Sequence, residues 1–251
     1  MWSLLFALGA GAQTSASRTI PLDGGEIFVI IDPGALDMTN AEVFDWIGEQ
    51  AAAVGAYYGR FPVDRARIRI TPVSGSGSGH GVCRAGDVPV VTLDLGEHTT
   101  VEQLKRDWVL THELTHLALP NQLRRHRWLE EGMATYVEPW ARVKQGQIQA
   151  DQVWKELVEG LPKGLPEAGD LGLDHTPTWG RVYWGGAVYF FLADLEIRKR
   201  TDNKLGLREA LAGATAAGLN ASVTADFNRV LKAGDDAVGH PVLTELYAAM
   251  K

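Results

Sequence analysis

The sequence predicts an α+β fold on two observations. Strand-like alternation of apolar and polar residues is gathered in the first hundred positions, and helical periodicity takes over from about Thr99 onward. A length of 251 residues, 45% hydrophobic and 22% charged, fits one sizeable domain or two small lobes with an ample core.

The elements follow in chain order. Residues 1–12 (MWSLLFALGAGA) are a short apolar stretch ending in a small-x-small pattern before Gln13, which reads as a signal peptide for export to a periplasm or beyond. No Lys or Arg precedes it, an atypical start for such a leader. Residues 13–251 are expected to form a single two-lobed domain. Residues 18–31 alternate around Asp23-Gly24-Gly25 and predict a hairpin. Thr39 with Glu42 is a capping-box pair for a helix reaching Tyr58. Residues 66–71 (ARIRIT) and 88–95 (VPVVTLDL) read as strands, joined through a flexible Gly/Ser connector at 74–81 that matches no phosphate-loop pattern. Helices are expected at about 100–118, 127–142, 149–159, 181–200, 205–217, 222–233 and 241–250. Between the third and fourth lies a stretch, 160–180, with Gly or Pro at eight positions, long enough to suggest a functional loop.

Charge and cysteine content narrow the function classes. With 31 acidic against 24 basic residues the chain carries a net charge of −7, which disfavours a nucleic-acid partner. No run approaches the roughly 20 apolar residues of a membrane span. The one cysteine, Cys83, makes neither an internal disulfide nor a Cys-rich zinc module and reads as a small buried hydrophobe. No GxSxG elbow supports a serine hydrolase.

The chemistry concentrates in residues 107–120 (DWVLTHELTHLALP), which contain His112-Glu113-Leu114-Thr115-His116, an HExxH pattern. On a helix two residues four apart sit about 40° apart and about 6 Å along one face, so both imidazoles can reach one metal ion. Glu113 projects beside them, positioned to work on water and not to ligate. A catalytic zinc takes three protein ligands and keeps one open position. The third is expected downstream, in residues 128–138 (WLEEGMATYVE).

HExxH followed by Trp-Leu-x-Glu-Gly-x-Ala resembles the gluzincin metallopeptidases of the peptidase MA-like superfamily, in particular the zinc aminopeptidase branch. Carried onto Trp128, Leu129, Glu131, Gly132 and Ala134, the resemblance makes Glu131 the third zinc ligand, and the neighbouring Glu130 a solvated variable position. The 14 residues between His116 and Glu131 are fewer than that branch usually has. Tyr183-Trp184-Gly185-Gly186-Ala187 is similar to the family's Tyr-x-x-Gly segment, which implies that Tyr183 donates to the oxyanion. The branch's Gly-Ala-Met-Glu-Asn motif is missing. Its place is taken by Ser78-Gly79-His80-Gly81-Val82, without a carboxylate, so aminopeptidase specificity is unsupported. An edge strand there would still pair with an extended peptide, which nominates Gly79, His80 and Gly81 as substrate contacts.

The resemblance implies a zincin-like fold, in which a small N-terminal sheet lobe carries the HExxH helix and a helical C-terminal lobe closes the cleft. It implies one Zn²⁺ on His112, His116 and Glu131, with Glu113 as general base and a peptide or protein as substrate. Arg181 is a further candidate for a substrate contact, whereas Arg124, Arg125 and Arg127 read as a solvated basic turn. Trp128, Trp179 and Trp184 are candidates for the cleft wall. Two alternatives stand beside the peptidase: a zinc-stabilised module that binds peptide without cutting it, and a zinc hydrolase of another amide or ester.

Overall fold

The computed structural model describes residues 14–251, so the leader-like residues 1–12 lie outside the described part. Five strands form one mixed sheet in the order β1-β2-β3-β5-β4. Strands β1 (Ala16–Leu22) and β2 (Gly25–Ile31) make the expected antiparallel hairpin. Strand β3 (Arg65–Val73) runs parallel to β2 and to β5 (Val90–Gly96). Strand β4 (Ser78–Arg84) lies antiparallel on β5 at the sheet edge.

One face of this sheet is covered, and the alternation in β3 shows which. Ala66, Ile68 and Ile70 are buried, whereas Arg65, Arg67 and Arg69 face out. Helix α1 (Asn40–Tyr58) packs on the buried side. It starts at the Thr39/Glu42 capping box and stops at Gly59, whose φ of 87° suits a left-handed cap.

The 74–81 connector is corrected by the structure, because its second half belongs to β4, with a bulge between Ser78 and Gly81. Main-chain pairing needs no side chain, so glycines that read as a loop still complete a ladder. The helix expected at 100–118 is broken into a single turn, α2 (Val101–Leu104), and α3 (Val109–Thr115), which tightens into a 3₁₀ turn at His116–Ala118. The break sits at Asp107, whose carboxylate accepts from Leu110 N–H at 3.3 Å and from the Ser78 hydroxyl.

The rest of the chain is helical: α4 (Arg127–Lys144), α5 (Ala150–Gly160), α6 (Gly186–Arg200), α7 (Leu207–Ala216), α8 (Phe227–Val238) and α9 (Val242–Met250). Helix α8 begins five residues later than the expected 222, because Asp226 caps it by accepting from Asn228 N–H at 2.8 Å. Residues 160–180 continue α5 through a 3₁₀ turn, Leu161–Gly164, and are then tied down: Leu173 N–H donates to Met250 C=O at 2.8 Å. Asp174 accepts from Trp128 Nε1 at 2.8 Å and from the Tyr247 hydroxyl at 2.7 Å. No helix among the described residues is long and apolar enough to cross a membrane.

Candidate metal centre and cleft

Three elements converge on a cleft of about 500 Å³: α3, the N-terminal half of α4, and the edge strand β4. Helix α3 is short, but Leu110 and Leu114 are fully buried, which turns the His112 and His116 side toward the cleft. Helix α4 is anchored through the buried Trp128 and Leu129, one turn ahead of Gly132. At Gly132 the backbone of Gly186 approaches so closely that an added Cβ would lie 2.3 Å from Gly186 Cα. This glycine-to-glycine contact presses α4 against the segment that carries Tyr183.

That segment departs from a regular helix. Residues Arg181–Gly185 form one π turn before α6. A π turn inserts an extra residue into the helical ladder and is frequent at functional sites. Tyr183 lines the cleft with its ring stacked near His112, centroids 6.4 Å apart.

Glu131 Oε2 lies 3.3 Å from His112 Nε2 and 3.6 Å from His116 Nε2. A tetrahedral site with bonds of about 2.0–2.2 Å spaces its donor atoms about 3.3–3.6 Å apart, so two imidazoles and one carboxylate oxygen fit a zinc ion. Glu113 also offers an oxygen within 4.8 Å of ligand atoms on both imidazoles. It accepts a hydrogen bond from the Cys83 backbone N–H.

The electrostatics suit a cation site. Burial holds His116 neutral, with its pKa down at about 3, and the His112 imidazole adds to that shift. Burial opposes ionisation of Glu131, but the hydrogen bonds with His112 and Arg127 favour the ionised form and bring the carboxyl down to about 2. The neutral His116 imidazole and the ionised Glu131 carboxylate are the forms that bind metal. Glu113 moves the other way: burial raises it above the ordinary carboxylate range, and the Glu131 charge adds to the rise. Burial also raises the Tyr183 phenol, with Glu131 reinforcing it, so it stays a proton donor.

The candidate substrate contacts divide. Gly79, His80 and Gly81 all line the cleft on β4. Gly81 faces Glu113 directly, since a Cβ there would lie 2.7 Å from Glu113 Cγ. Arg181 does not reach the cleft. It is buried, ion-paired with Asp170 at 2.6 Å, and donates to Gly164 C=O, because its side of the π turn meets residues 160–180.

Other expectations change as well. Glu130 is not a solvated position. It lines the cleft, accepts from Gln122 N–H at 2.9 Å, and burial pushes its carboxyl up to about 7. Trp128 is core, and Trp184 packs over Gly160. Trp179 is exposed and stacks on Tyr183 at 5.8 Å, while Trp108, which sequence reasoning passed over, stands edge-on to His112 at 5.6 Å and lines the cleft. Cys83 is half-buried in the cleft wall, with burial pushing its thiol up to about 12, so it is no nucleophile. Arg127 is not merely part of a solvated turn, since its guanidinium contacts both Glu131 and Tyr183. The four-residue spacing of Arg127 and Glu131 on one helix was the available signal.

No protein-family model matches the chain, and comparison with curated proteins finds no relative. Solved structures do match. An aminopeptidase N family protein from Idiomarina loihiensis superposes with a TM-score of 0.63 at 14% identity, over 87% of this chain and 43% of that one. An M1 zinc metallopeptidase from Deinococcus radiodurans gives 0.58 at 15% identity, over 94% and 52%. A two-domain M1 zinc metallopeptidase variant with L-arginine bound gives 0.54 at 16%, over 93% and 51%.

The chain has the fold of the M1 zinc metallopeptidases. It spans about half the length of these structures.

Proposed function

We propose that this protein is a zinc-dependent peptidase that hydrolyses peptide bonds with Glu113 as general base. The observation that carries this reading is one carboxylate oxygen of Glu131 at ligand spacing from two imidazoles, with a second, raised carboxylate beside them in a cleft. His112, His116 and Glu131 would hold the ion. Zinc, when bound, supplies Lewis-acid polarisation and lowers the pKa of water towards neutrality.

The chain's own residues account for the proton movements. Glu113 accepts a proton from the attacking water and delivers it to the leaving amine, a role suited to a carboxyl raised towards the working pH. Tyr183 donates to the oxygen that gains negative charge at the scissile carbonyl. The outer edge of β4, at Gly79, His80 and Gly81, pairs with an extended substrate, because β5 occupies only its inner edge. Export rests on the leader-like residues 1–12 alone.

The test is cleavage of a diverse peptide mixture followed by mass spectrometry, with the zinc-loaded chain beside Glu113→Gln. Cuts that appear only with the parent and disappear after chelation are expected, with zinc content equal in both proteins. Loss of general-base catalysis should lower turnover by about 10²–10⁴-fold. Equal cutting by Glu113→Gln would refute the assignment. Zinc retention without any cutting would point to a peptide-binding module or to another amide or ester.

A further inference from the structure

We infer that Arg127 is a positioning residue that orients both Glu131 and Tyr183. The inference rests on the metal-site reading above. Arg127 Nε and Nη2 both donate to Glu131 Oε1, at 3.1 and 3.0 Å, while the other oxygen, Oε2, is the one that faces His112 and His116. The carboxylate is thereby split into an outer oxygen fixed by a guanidinium and an inner oxygen presented to the imidazoles. The same Nη2 also donates to the Tyr183 hydroxyl at 3.4 Å. A single planar group thus ties α4 to the π turn.

The chemistry favours arginine here. A carboxylate with two equivalent oxygens can rotate and offer both to one ion, which changes coordination number and the room left for water. Two nitrogens of a rigid fork on one oxygen prevent that rotation, and a lysine ammonium cannot copy the fork. Groups that fix a metal ligand's orientation typically change metal affinity by 10–100-fold when removed. Arg127 and Glu131 are four residues apart on α4, so the helix itself holds the guanidinium in register with the carboxylate. The Arg127 side chain is 57% exposed, so its loss leaves no core cavity. A fold effect is therefore separable from a site effect.

The experiment measures zinc dissociation constants of the parent, Arg127→Gln and Arg127→Lys by competition with a chromophoric chelator, without any turnover. The visible spectrum of the cobalt-substituted proteins is recorded alongside, because its intensity reports coordination number. Arg127→Gln and Arg127→Lys should both bind zinc about 10–100-fold more weakly and show an altered cobalt spectrum. Their metal-free thermal midpoints should match the parent's. In a Glu131→Ala background the Arg127 substitutions should no longer change metal affinity. An Arg127→Gln protein whose zinc affinity stays within about twofold of the parent's, with an unchanged cobalt spectrum, overturns the inference. Full rescue by lysine also overturns it, because charge alone would then suffice. A parent that binds no zinc overturns the metal-site reading itself, which separates the two failures.

Discussion

Gly81→Ala is the substitution whose consequence the structure specifies most closely. The new Cβ would stand 2.7 Å from Glu113 Cγ and 3.1 Å from both Cδ and Oε1, and every one of these nearest atoms belongs to the same side chain. Ordinary carbon contact needs at least about 3.4 Å, so the Glu113 side chain must move by about 0.7 Å. The displaced carboxylate would also loosen its hydrogen bond from Cys83 N–H. Misplacement of a reacting group by about 1 Å can cost 10²-fold in rate, so a fall in kcat of about 10- to 100-fold is expected. Overpacking usually costs 1–3 kcal/mol, and the lower end applies here because the crowded side chain borders the cleft. Steady-state kinetics on a peptide cut by the parent, with zinc content and urea unfolding in parallel, would check this. The loss should fall on kcat with zinc retained, and Gly81→Ala should add nothing in a Glu113→Gln background. A variant with parental kcat, or one that loses zinc before it loses rate, would refute the reasoning.

Two further outcomes concern stability. Gly132→Ala places a Cβ 2.3 Å from Gly186 Cα and 2.4 Å from its carbonyl carbon, so α4 and α6 must separate. A loss of 3 kcal/mol or more, above the usual overpacking range because backbone and not side chain must yield, should appear as a lowered urea midpoint; an unchanged midpoint would argue against this contact. Glu138 is buried beside Arg142, with Nη1 to Oε1 at 3.0 Å, and burial pushes its carboxyl up to about 7, against the opposing Arg142 charge. The folded state then holds this proton more tightly than the unfolded chain, whose carboxyl titrates near 4.5. The stability contribution is present below about 4.5 and is lost as pH rises through about 7. Urea unfolding between those limits should show a flatter pH dependence in Glu138→Gln than in the parent, and parallel curves would contradict the shift.

Local chemistry made much of the centre legible in the chain. The four-residue repeat of His112 and His116 needs only helical geometry to share a face. The Thr39/Glu42 box and the alternation of 66–70 likewise act over one turn or one pleat, and both appear where expected. Resemblance to a family pattern, and not spacing, points to Glu131 in the sequence, and it is the spatial approach of α4 to α3 that brings its oxygen to 3.3 Å from His112.

What sequence reasoning missed depends on partners outside the residue's own helical turn or strand. Arg181 reads as a cleft residue until Asp170 pairs with it on the buried side. Glu130 reads as solvated until Gln122 N–H and the cleft wall enclose it. The glycines at 79 and 81 look like a flexible connector because the sequence does not show that β5 lies alongside, or that Glu113 occupies the space a side chain would need. The sequence alone therefore determined which donor types the protein carries and the helical spacing that lets His112 and His116 share an ion. Only the tertiary structure decided which carboxylate faces them, which arginine holds it and which strand edge stays open. The facing carboxylate and the open strand edge arise from contacts between separate elements that no local periodicity records, and the four-residue spacing of Arg127 and Glu131 shows that they can pair but not that the other oxygen faces the imidazoles.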